Sequence, residues 1–103
     1  MFDIMKKAKE LQTKVAEIQE ELANTDIEGV SGAGMVKVTL NGKGDMKGLA
    51  IDPSMLKEDE ADILEDLIIA AHKDARVKVE EFSAEKMKEA TGDLPIPPGM
   101  NLF

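Results

Sequence analysis

The sequence predicts an α+β fold in which a long N-terminal helix, a small three-stranded antiparallel sheet and a long C-terminal helix follow one another. Apolar residues recur every three or four positions over residues 3–24 and again over residues 59–92, which is typical of amphipathic helices. Between them, residues 35–40 alternate apolar and polar side chains, as a half-buried strand does. The chain has 103 residues, and we predict one domain at 1–92 followed by a proline-rich tail at 93–103.

The first predicted helix has one continuous apolar seam and no Gly or Pro to interrupt it. At ~1.5 Å per residue, residues 3–24 form a rod of about 33 Å. Lysines cluster near its start and glutamates near its end, the reverse of what the helix dipole favours, so local stability alone does not select this arrangement. The seam consists of Ile4, Ala8, Leu11, Val15, Ile18 and Leu22.

The middle of the chain predicts three strands, at residues 27–30, 35–40 and 46–52, with a hairpin turn that begins at Asn41 and Gly42. A glycine-rich loop can instead bind phosphate, but such a loop leads from a strand into a helix N-terminus. Here the glycines lead into further strands. We therefore interpret Gly29, Gly32 and Gly34 as turn or bulge residues of a sheet.

The second predicted helix begins near Asp59, after Pro53 ends the sheet, and stops at Gly92. Its length of about 50 Å exceeds the ~13 Å radius of gyration of a compact chain of this size. A second copy would cover the apolar surface left over. We predict a two-fold homodimer with a joint sheet core, formed by edge pairing or face packing, and with projecting helices. The predicted interface residues are Val36, Val38, Leu40, Leu49 and Ile51.

Composition argues against an enzyme. The chain has no Cys and a single His. No Cys or second His can therefore join this His as a catalytic nucleophile or as a ligand of zinc. We expect no cofactor and no metal. Three aromatic residues, without Trp or Tyr, are too few for a base-stacking platform. No apolar run is long enough to span a membrane, and no signal-peptide pattern is visible, so we expect a cytoplasmic protein.

The net charge of -8 is unevenly distributed. Residues 1–14 carry four lysines against two acids, a net of +2, whereas residues 15–66 carry four bases against thirteen acids, a net of -9. Cations on two helices could contact the phosphates of a DNA duplex, or could form an ordinary solvated face of mixed charge. The candidate DNA-binding residues are Lys6, Lys7, Lys9, Lys14, Lys73, Arg76, Lys78, Lys86 and Lys88.

Four segments together resemble the YbaB/EbfC family of bacterial nucleoid-associated proteins: EGVSGAGMVKV at 28–38, IDPS at 51–54, LEDLIIAA at 64–71 and LPIPPGM at 94–100. The resemblance covers essentially the whole chain. It implies a sheet-mediated homodimer whose helices project like the arms of tweezers and bind double-stranded DNA in the nucleoid. The cations match the family by helix and charge, with Arg76 nearest the point where relatives tend to carry Arg.

The leading hypothesis is a homodimeric, largely sequence-nonspecific DNA-binding protein of the nucleoid, without catalysis. The alternative is a scaffold that docks a protein of replication or recombination through its helices. The acids Glu80, Glu81 and Glu85, which lie among the cations of the second helix, favour that alternative.

Overall fold

The computed structural model describes the backbone of residues 2–91 and the side chains of residues 3–89. The predicted order of helix, three strands and helix is confirmed. Gly92 and the predicted tail at 93–103 lie outside the described residues. The elements are α1 (Phe2–Ala23), β1 (Asp26–Ser31), β2 (Val36–Asn41), β3 (Met46–Ile51) and α2 (Ala61–Thr91), with short 3-10 turns at Gly32–Gly34, Pro53–Met55 and Glu58–Glu60.

The three strands form one antiparallel sheet in the order β1-β2-β3, so β1 and β3 are its two edges. Gly29 of β1 lies opposite Val38 of β2, which in turn lies opposite Leu49 of β3. Residues directly opposite one another share a face of an antiparallel sheet. The apolar face therefore includes Leu49 and Ile51 on β3 as well as the centre of β2.

Helix α2 covers this apolar face, and the core lies between them. Val36, Val38 and Leu40 are fully buried against Ala71, Ala75 and Val79 of α2. The assignment of these three β2 residues to a dimer interface was wrong, because the chain's own helix covers them and leaves none of their surface exposed. Of the five predicted interface residues, Leu49 and Ile51 keep exposed surface, since α2 packs across β1 and β2 rather than β3.

Gly29 allows α2 to approach β1 closely. A Cβ atom at this position would lie 2.3 Å from both the Ala71 carbonyl oxygen and the Ala75 nitrogen, closer than real Cβ contacts occur. The expectation of a turn or bulge at Gly29 was therefore wrong, since the residue lies inside β1 and is needed for close packing. Gly32 and Gly34 do form a turn, where both have positive φ.

The last turn of α1 is anchored to the β2–β3 hairpin. The backbone N–H of Gly42 donates to the Leu22 carbonyl at 2.7 Å, and Asn41 Nδ2 donates to the Ala23 carbonyl at 3.5 Å. The buried Asn41 also holds the hairpin, because its Oδ1 accepts from the backbone N–H groups of Lys43 and Asp45, each at 3.0 Å. The bonds to Leu22 and Ala23 satisfy carbonyls that a helix end otherwise leaves unpaired.

The N-terminal half of α1 extends away from the sheet. Ile18 and Leu22 near the end of its seam are buried, whereas Ile4 near the start is 73% exposed. The molecule is accordingly elongated, measuring 67 × 24 × 16 Å with a radius of gyration of 18.4 Å. We name residues 2–14 of α1 the arm.

Candidate nucleic-acid interface

The arm carries four of the candidate DNA-binding residues: Lys6, Lys7, Lys9 and Lys14. All four are exposed, and none joins an ion pair formed within the described part of the chain. From Lys6 to Lys14 the helix rises about 12 Å, a length over which duplex DNA carries about seven phosphate charges. These four ammonium groups are available to an anionic ligand without breaking an existing contact.

Lys86 of α2 is held differently. Its Nζ lies 3.1 Å from Glu21 Oε1 of α1 and 3.6 Å from Glu89 Oε2, and it stands 5.6 Å from the centre of the Phe82 ring. The hydrogen bond and charge of Glu21, with the charge of Glu89, raise the pKa of Lys86 above its usual value. Lys86 thus links α2 to α1, and a phosphate would have to displace Glu21.

Lys78 is also occupied. Its Nζ donates to Asp74 Oδ2 and to the Glu28 carbonyl of β1, each at 3.1 Å. Asp74 Oδ2 in turn accepts from the backbone N–H of Val30 at 3.0 Å. The Val30 N–H and the Lys78 ammonium both favour the charged carboxylate, and they hold the pKa of Asp74 below its ordinary value.

The remaining cations of α2 differ among themselves. Arg76 faces Glu80 one turn along the helix, with Nε 3.7 Å from Oε1. Lys73 and Lys88 are exposed and join no ion pair within residues 3–89. The structure therefore separates the predicted α2 set into three cations with acidic partners and two without.

Among the described residues, a cleft large enough for a small molecule lies beside the hairpin turn. It has a volume of about 610 Å³ and lies between the hairpin turn, the end of α1 and the middle of α2. Its charged lining consists of Lys43 and Arg76 opposed by Asp45 and Glu80, so it has no net charge to select an ion. Within residues 3–89, no side-chain nitrogen or oxygen is both buried and without a hydrogen-bond partner, so nothing in the cleft points to a ligand.

The described residues contain no group of three His, Asp or Glu side chains placed to hold a metal ion. His72 is half-buried on α2, as a helix residue at the edge of the apolar seam. None of the described helices is long and apolar enough to cross a membrane.

The uncovered side of β3 is apolar. Leu49 is 46% exposed and Ile51 is half-buried, and Met46 at the start of β3 is also exposed. Leu49 and Ile51 are the two predicted interface residues that keep exposed surface here. The contact of Asp74 with β1 was not predicted. Its four-residue spacing from Lys78 predicts the ion pair on the helix, but not the bond to the Val30 N–H.

Together the fold and the cations define a small α+β protein with a projecting basic arm and a sheet that one helix covers over β1 and β2. Comparison with known proteins gives its family: the YbaB/EbfC DNA-binding family matches residues 1–94, and the chain belongs to that family.

The curated relatives agree with this membership over nearly the whole chain. The chain is 58% identical over 102 residues to the nucleoid-associated protein Atu0095 of Agrobacterium fabrum, an alignment that covers 99% of this chain and 95% of that protein. It is 57% identical, with the same coverage, to a nucleoid-associated protein of Rhizobium meliloti. Both relatives are named nucleoid-associated proteins.

A solved structure has the same fold. The crystal structure of an uncharacterized protein of Helicobacter pylori superposes with a TM-score of 0.75 at 27% sequence identity. The match covers 86% of this chain and 94% of the other.

Proposed function

We propose that this chain binds double-stranded DNA as a homodimer, largely without regard to sequence, and that the lysines of the arm supply the main contacts to phosphate. The observation that carries the proposal is the set of four exposed lysines on a helix that extends from an acidic molecule, without ion-pair partners among the described residues. Membership of a DNA-binding family supports DNA as the ligand.

The chemistry of the arm favours phosphate over base contacts. Lysine is a point charge on a flexible stem, which suits phosphate better than the bidentate reading of a base edge. Phosphate contacts carry no sequence information directly, so binding that depends on them is weakly selective. On α2, Lys73 and Lys88 are suited to add to the contact, whereas Lys78, Lys86 and Arg76 have acidic partners that DNA would have to replace.

The uncovered side of β3 supports the homodimer part of the proposal. Leu49 and Ile51 lie on the apolar face of the sheet where α2 does not reach. A second copy that buries this surface would bring two arms into one particle and double the number of lysines available to a duplex. Location in the nucleoid is part of the same proposal, by analogy with the names of the relatives.

A direct test is titration of duplex DNA at two salt concentrations with the wild type and with the K6E/K7E/K9E variant, alongside a mass measurement by light scattering. We expect wild-type affinity to fall steeply with salt, and the variant to lose binding while its mass stays at two chains. Binding by the variant equal to that of the wild type would contradict the role of the arm.

The alternative, a scaffold for another DNA-metabolism protein, is favoured by one observation. Ile4 and Met5 of the arm are 73% and 69% exposed. If the arm docks a protein through this apolar surface, I4A/M5A should weaken binding of that protein, while K6E/K7E/K9E should leave its binding unchanged. DNA binding predicts the opposite pattern, so the two variants distinguish the two functions.

A further inference from the structure

A three-stranded sheet has two edges, and each edge strand presents backbone N–H and C=O groups that can pair with another chain. If both edges were open, copies could add at each side and the assembly would have no defined end. If one edge is closed, pairing through the other stops at two copies. The state of the two edges of this sheet therefore bears on how many chains assemble.

The β1 edge is occupied by two side chains of α2. The backbone N–H of Val30 donates to Asp74 at 3.0 Å, and the carbonyl of Glu28 accepts from Lys78 at 3.1 Å. These two backbone groups flank Gly29 and point away from β2. An added parallel strand would satisfy both with the C=O and N–H of a single residue. The carboxylate of Asp74 and the ammonium of Lys78 supply that acceptor and donor instead.

The two side chains are held in place. Asp74 Oδ2 and Lys78 Nζ lie 3.1 Å apart, one turn apart on α2. The backbone of α2 is fixed close to β1 at Gly29, where an added Cβ would meet both Ala71 and Ala75 at 2.3–2.6 Å. A strand that approached β1 would therefore meet an ion pair carried by a closely packed helix.

The β3 edge has no such cover. The backbone N–H of Asp52 points toward β2, since it donates to the Met35 carbonyl at 2.8 Å. The N–H and C=O groups of successive residues point to opposite sides of a strand. The backbone N–H and C=O groups of Leu49 and Ile51 therefore point away from β2. No side chain within residues 3–89 donates to or accepts from them. Leu49, 46% exposed, adds apolar surface at this edge.

We propose that Asp74 and Lys78 close the β1 edge of the sheet, so that a second copy of this chain joins at the β3 edge alone and the assembly ends at two chains. This inference rests on the proposed homodimer. It assigns to Lys78, a candidate for contact with DNA, a role in limiting assembly.

The test is the mass of the D74A/K78A variant, measured by light scattering over a wide range of protein concentration. Alanine preserves the helix, because both positions are partly exposed and alanine is the best helix former. The matched control is R76A/E80A, which removes an ion pair of the same spacing on the same helix. Among the described residues, the side-chain bonds from α2 to the backbone of Glu28 and Val30 come from Asp74 and Lys78, not from this pair. We expect the wild type and the control to stay at twice the chain mass of 11.2 kDa, and D74A/K78A to exceed it increasingly with concentration.

A folded D74A/K78A variant that stays at two chains would overturn the inference, and so would a wild type that itself grows beyond two. A wild type of one chain would contradict the proposed homodimer instead. If the wild type is a single chain, association of D74A/K78A would still support closure of the β1 edge by Asp74 and Lys78. A D74A/K78A variant that also stays a single chain would overturn that closure.

Hydrogen exchange of the wild type gives a second readout that does not depend on the folding of a variant. The amides of Val30 and Glu28 belong to the same edge, but only Val30 has a side-chain acceptor among the described residues. We expect the Val30 amide to exchange more slowly than that of Glu28. Equal rates would mean that Asp74 does not hold the edge.

Discussion

Removal of two arm lysines should reduce the salt dependence of DNA binding by a predictable amount. Lys6 and Lys7 are exposed and join no ion pair within the described residues. In a homodimer, K6A/K7A removes four ammonium groups. Each phosphate contact contributes about 0.9 to the slope of log affinity against log salt concentration, so four contacts contribute about 3.6. We expect the slope to become shallower by up to about that amount.

The measurement is fluorescence anisotropy of a labelled duplex at several salt concentrations. Exposed surface substitutions usually change stability by less than about 0.5 kcal/mol, so the variant should keep its fold, which circular dichroism would verify. The control variant K37A/K57A removes the same charge from β2 and from the loop that precedes α2, at two exposed lysines that join no ion pair within the described residues. An unchanged slope for K6A/K7A, or an equal decrease in the control, would refute the arm as the main phosphate contact.

Three further predictions follow from contacts within the chain. G29A should lower the free energy of unfolding by about 1–3 kcal/mol, because the added Cβ would meet the α2 backbone at 2.3 Å. Urea unfolding measures this change. Unchanged stability would contradict the close approach of α2 to β1. L49K should convert the homodimer to single chains in a light-scattering measurement, since it places a charge on the uncovered side of β3; a variant that remains dimeric would exclude this surface. In an NMR titration the pKa of Asp74 should lie below that of an aspartate in an unfolded chain, because the Val30 N–H and Lys78 lower it. Its contribution to stability is thus fully present above the unfolded-state pKa and is lost as the pH falls through the lower folded-state pKa. A folded-state pKa equal to or above the unfolded value would contradict the contact.

The order of elements could be predicted because hydrophobic period distinguishes helix from strand. What covers the apolar face of β2 could not be predicted, because alternation shows which residues of a strand share a face but not what packs against it. A helix of the same chain and a second copy would both bury Val36, Val38 and Leu40, and the helix does so here. Leu49 carries the same apolar signal one strand further along, yet stays exposed because α2 crosses β1 and β2.

Only some of the ion pairs formed by the candidate cations could be predicted from the sequence. The sequence placed lysines on both long helices, and the spacing of Asp74 and Lys78 or of Arg76 and Glu80 already predicts ion pairs. The contact of Lys86 with Glu21 joins residues far apart in sequence, so only the folded chain brings them together. The role of Gly29 could not be predicted from the sequence, because a turn and a close contact with a helix both favour glycine.

The most direct test of the account is a lysine-modification footprint of the wild type with and without duplex DNA, read by mass spectrometry. The account predicts that DNA protects Lys6, Lys7, Lys9 and Lys14 of the arm, while Lys37 and Lys47 of the sheet react equally in both states. Protection of the sheet lysines with an unprotected arm would contradict it.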